Sequence, residues 1–152
     1  MPDLTEKQAI DLARAAETAA VLPAQRTVIP TLCRMASVDP ETGRKANTAL
    51  LLDLLRGDEG ELRAAFEVAG RMLAGDTRPD GQVVSVGNAA HDPMMMLAQD
   101  IIQLSMRGEP ERAWTHISRH PRSRQAAVLS ILAAFLNYRF AGLDPLALAA
   151  AE

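Results

Sequence analysis

Two histidines four positions apart, in the segment His116-Ile-Ser-Arg-His120, are the residues whose spacing most resembles a reactive centre. On a helix, positions i and i+4 share a face, so both imidazoles can reach one divalent cation. Zinc hydrolases that use such a pair place a glutamate directly after the first histidine as general base. Here that place is held by Ile117. His91, Asp92 and Glu109 are candidates for a third ligand, and nothing in the spacing selects one. The competing reading is a pair of solvated histidines at a helix end. We therefore assign no metal ligand, no cofactor and no catalytic residue from the sequence.

The same segment lies in a basic cluster: Arg112, His116, Arg119, His120, Arg122 and Arg124, with no acidic residue among them. These six are the candidate anion or nucleic-acid contacts. The donors of a following helix N-terminus would add to such a site, and phosphate contacts would make the affinity salt-dependent and indifferent to base sequence. Trp114 is available to stack on a base or to fill the core. No pair of helices combines the short turn and polar recognition face of a helix-turn-helix reader. The alternative for the cluster is a solvated corner between helices. Met94, Met95 and Met96 form a candidate partner surface, because methionine adapts to irregular partners; filling gaps in the core is the competing role. There is no glycine-rich phosphate loop, nucleophile elbow or carboxylate pair, so the residues lean away from an enzyme.

These residues must be positioned by helices. From Gln125 to Phe140 the chain reads QAAVLSILAAFLNYRF, apolar on nearly every face between Ala126 and Leu136. A helix of that kind must be surrounded, and the run is too short for the roughly 20 residues that span a membrane. It predicts a central helix over about 122–140. Ahead of it, Thr5-Glu-Lys-Gln8 matches a capping box opening a helix to about Ala20. Leu22-Pro23 breaks that helix; over 24–37 either a helix kinks at Pro30 or a short one begins there, and a bent helical segment is the favoured reading.

Asp39-Pro40, Asp92-Pro93 and Asp144-Pro145 each place a capping carboxylate before a proline suited to the first helical turn. Their near-equal spacing fits either an internal duplication or a shared helix-hairpin grammar. Leu62, Ala65, Phe66, Ala69, Met72 and Leu73 form a three-four repeat that predicts one amphipathic helix ending at Gly75. Residues 76–91 form the one long loop, with a β-like run from Gln82 to Val86. Ile101 to Pro121, with Gly108 and Ala113, resembles a single helical hairpin of the tetratricopeptide type. That resemblance is local, implies a helical hairpin alone and carries no repeat array.

Apolar residues make up 48% of the 152, charged residues 23% and aromatic residues 3%. Such a core must be built from Ala, Leu, Ile, Val and Met, which favours helix. The net charge of -3 excludes wholesale attraction to nucleic acid. Lone Cys33 excludes an internal disulfide and a thiolate zinc cluster. The opening MPDLTEKQ has no secretory pattern, giving a cytoplasmic expectation.

The sequence thus predicts a single all-α domain over 1–152. It comprises six to eight short helices in antiparallel hairpins around the 122–140 helix, with no membrane span. The expected role is a non-enzymatic interaction or regulatory module with a protein partner, or one that associates with itself as a homodimer. A nucleic-acid-binding regulator using 112–124 is the second reading, and a metal-dependent enzyme the third.

Overall fold

The chain is all-α across the residues that the computed structural model describes, which are 3–38, 49–53, 56, 59–74 and 93–141. Among them are seven bounded helices and no strand: α1 (Glu6–Ala19), α2 (Pro23–Arg26), α3 (Ile29–Ser37), α4 (Glu59–Ala74), α5 (Pro93–Met106), α6 (Pro110–Ser118) and α7 (Arg122–Phe140). Residues 49–53 are helical as well. The Asp39-Pro40 start, the 76–91 loop, Asp92 and the Asp144-Pro145 tail lie outside the described residues. No described helix is long and apolar enough to cross a membrane.

Local chemistry accounts for most of the helix ends. The Gln8 backbone N–H donates to Thr5 Oγ1 at 3.2 Å, and the Thr5 N–H donates to Gln8 Oε1 at 3.0 Å, so the capping box satisfies two otherwise orphaned donors of α1. The bent segment expected over 24–37 is instead two helices separated by Thr27 and Val28. Pro30 falls in the first turn of α3, where its missing N–H breaks no helical bond, so it opens a helix rather than bending one.

The buried Asn137 of α7 holds the far end of α3. Its Nδ2 donates to Ala36 O at 2.9 Å and Val38 O at 3.0 Å, two carbonyls that the end of α3 leaves without helical partners.

The hairpin between α5 and α6 depends on Gly108, whose φ of 73° lies where a side chain would be strained. Its N–H donates to Ser105 O and the Glu109 N–H donates to Leu104 O, the paired bonds of a Schellman stop. Pro110 then starts α6 at its first position.

Helix α7 occupies the predicted span and packs against α1, α3, α4 and α5. Its cover is uneven: Val128, Leu129, Leu132, Ala133, Phe135 and Leu136 are buried, whereas Ala127, Ile131 and Ala134 are half-buried on another side. The helix that packs against all six others is α4. Besides its expected stripe it buries Ala64, Val68 and Gly70. A Cβ on Gly70 would stand 2.4 Å from Ser105 Oγ, so a side chain there would require the Ser105 hydroxyl to turn aside.

Candidate functional site

Helices α5 and α6 present two parallel stripes to one open groove. Asp100, Gln103, Leu104 and Arg107 come from α5 and its cap, and Arg112, Thr115, His116 and Arg119 from α6. Each set follows i, i+3, i+4, i+7 spacing, one face of a helix. The opposite side of α6 is pinned to the core by buried Ala113 and Ile117. Trp114 sits half-buried with its ring centroid 6.2 Å from that of Phe66, so it serves packing. The groove encloses about 380 Å³.

Its electrostatics are lopsided. Three guanidiniums and one carboxylate line it. His116 Nε2, shielded from water, lies 3.4 Å from Asp100 Oδ2 without hydrogen-bond geometry. Arg112 Nη1 meets Glu109 Oε2 at 3.0 Å in an exposed pair. Arg107 and Arg119 have no carboxylate partner among the described residues.

The six basic candidates therefore divide. Arg112, His116 and Arg119 line the groove. His120, Arg122 and Arg124 sit at the corner where α7 begins, with Arg124 Nη1 3.4 Å from His120 Nδ1. Gln125 holds that corner, its Nε2 donating to His120 O at 2.8 Å. The His116 and His120 rings stand 6.0 Å apart edge to face. No group of three potential metal ligands occurs among the described residues, which exclude His91 and Asp92. Met94 packs partly against the core and Met96 is exposed; the Met95 side chain lies outside the described set.

Asp100, Gln103, Arg107 and Thr115 were not singled out from sequence. The signal was present as the 100/103/104/107 spacing, but that stripe is polar and reads as an ordinary solvated face until α6 is laid beside it.

Two other cavities lie among the described residues. One, of about 590 Å³, lies where the C-terminal halves of α1, α4, α5 and α7 meet, and Arg71 and Arg139 line it. Arg71 Nη1 donates to Ala19 O at 3.0 Å and to Gln25 Oε1 at 3.1 Å, and Arg139 donates to Met72 O. Helix C-termini carry partial negative charge, which these two cations offset.

The other cavity is mostly apolar and borders Ala9, Pro30, Cys33 and Leu50. Burial pushes the Cys33 thiol up to about 11, and the charge of Glu17 adds to the rise. Since the thiolate is the reactive form, alkylation of Cys33 by iodoacetamide is expected to stay slow through pH 9 and to accelerate toward pH 11. A rate profile with its midpoint in the ordinary thiol range would contradict this burial.

No protein-family model matches the chain, and no curated protein or solved structure matches it either.

Proposed function

We propose that the protein is a non-catalytic helical interaction module that seats an acidic segment of a partner protein in the groove between α5 and α6. The observation that carries this reading is the convergence of Arg107, Arg112 and Arg119 on one groove against the single lining carboxylate of Asp100. Guanidinium groups bind carboxylates through paired, charge-assisted hydrogen bonds. Two of these three have no competing carboxylate among the described residues. Their placement on a hairpin anchored by buried Ile101, Ile102, Ala113 and Ile117 favours a rigid surface that a ligand meets preformed.

Fluorescence anisotropy with pools of Asp/Glu-rich and neutral peptides of equal length tests the reading. The acidic pool is expected to bind preferentially and to weaken with salt. The double variant Arg107→Ala/Arg119→Ala should lose at least about tenfold in affinity, or about 1.4 kcal/mol. Both side chains are exposed, so the fold should survive. Equal binding of acidic and neutral pools would remove the proposal.

A second reading draws on His120, Arg122 and Arg124, which extend basic surface beyond the groove at the start of α7. A phosphate backbone is long enough to follow both patches. Retardation of DNA or RNA in gels at low salt, lost in Arg122→Ala/Arg124→Ala, would favour nucleic acid over an acidic peptide.

A further inference from the structure

We propose that the hairpin end of this groove takes a phosphorylated side chain; this rests on the interaction reading above and names the group that the groove receives. Arg107 stands at the cap of α5 and Arg112 near the start of α6, and the Schellman turn at Gly108 brings both to one end of the same cavity. Asp100 lies seven positions before Arg107 on α5, a helical advance of roughly 10 Å. Its negative charge, with His116 beside it at 3.4 Å, belongs to the far end. At about a Debye length its effect on the hairpin end is weakened by salt.

Glu109 is joined to Arg112 at 3.0 Å. In that bridge the Arg112 side chain is 69% exposed and the Glu109 side chain 36%. Such a surface pair is worth little and yields readily to a stronger anion.

The charge and oxygen count then select the ligand. A carboxylate has two oxygens and one charge, which fill a single guanidinium fork. A phosphomonoester has three acceptor oxygens and nearly two charges at neutral pH, which suit two guanidiniums on one centre. Arg119 lies seven positions beyond Arg112 along α6, again roughly 10 Å away, and serves a different group on the ligand.

The test follows arginine Nε–H resonances of the full-length, nitrogen-15-labelled chain during titration with inorganic phosphate and, separately, acetate at pH 7.5 and fixed ionic strength. Arg107 and Arg112 are expected to shift saturably with phosphate, at a midpoint at least tenfold below that for acetate. Arg107→Ala should weaken the response of Arg112 to phosphate at least fivefold, and Glu109→Gln should strengthen it twofold or more. Equal midpoints for the two ions would overturn the phosphate inference while leaving the acidic-segment reading standing. A response to phosphate confined to Arg122 and Arg124, or none at all, would also overturn it. The peptide-pool experiment then judges the broader reading separately.

Discussion

Phe135→Ala is expected to lower the unfolding free energy by about 3–5 kcal/mol, whereas Ile131→Ala, one turn earlier on the same helix, should cost only about 1–2 kcal/mol. Phe135 is 1% exposed and belongs to the principal core, together with Leu129, Leu132 and Leu136 of the same helix. Truncating it removes a large apolar surface and leaves a void that close-packed neighbours close only in part. Ile131 packs at the edge of that core and keeps part of its side chain in water. Urea denaturation of both variants measures the contrast. Similar losses at the two positions would mean that α7 is buried evenly, against the two-sided cover described above. For a chain of this length, each kcal/mol corresponds to roughly 2–4 °C in Tm.

Gln25→Met should cost about 3 kcal/mol, although the replacement is close in volume and fully apolar. Gln25 is 1% exposed and makes four hydrogen bonds. Its Oε1 accepts from the N–H groups of Val21 and Leu22, at 3.0 and 3.2 Å, and from Arg71 Nη1 at 3.1 Å. Its Nε2 donates to Glu67 Oε2 at 2.6 Å, and Glu67 in turn pairs with Arg63 at 2.8 Å. One amide thus fastens the link between α1 and α2 onto α4. Methionine would fill the space and leave a carboxylate, a guanidinium and two backbone donors without this partner. Bonds to charged groups are the stronger kind, which sets the magnitude. A loss below about 1 kcal/mol in guanidinium denaturation would show that water replaces the amide at this corner.

Gln25 also marks a limit of sequence reading. In the sequence it is one glutamine after a proline, with a residue type that is usually exposed. Its partners Glu67 and Arg71 lie more than forty positions away. No local pattern announces a bond of that separation. Asn137 is the same case, reaching across the molecule to the end of α3. The capping box at Thr5, the break at Pro23 and the stop at Gly108 were legible because each depends on atoms only a few residues apart.

The groove falls between these limits. The sequence marked Arg112, His116 and Arg119 as a basic cluster because they are dense along the chain. It also grouped them with His120, Arg122 and Arg124, which the turn at Pro121 directs to a separate corner. It passed over Arg107 and Asp100, whose significance arises when α5 folds back beside α6.

What the sequence determined by itself is the all-α class, the capping at Thr5, the punctuation by proline and glycine, and the span of α7. These follow from local propensity and from the periodicity of apolar residues. Tertiary structure alone decided which helix lies at the middle. Hydropathy favours α7, whose large aliphatic side chains declare burial, yet α4 packs against each of the other six bounded helices. Ala64, Ala65, Ala69 and Gly70 are small residues buried on its contact faces. Small side chains bring little hydrophobic signal and much geometric freedom, so their contribution becomes visible only when the neighbouring helices are in place.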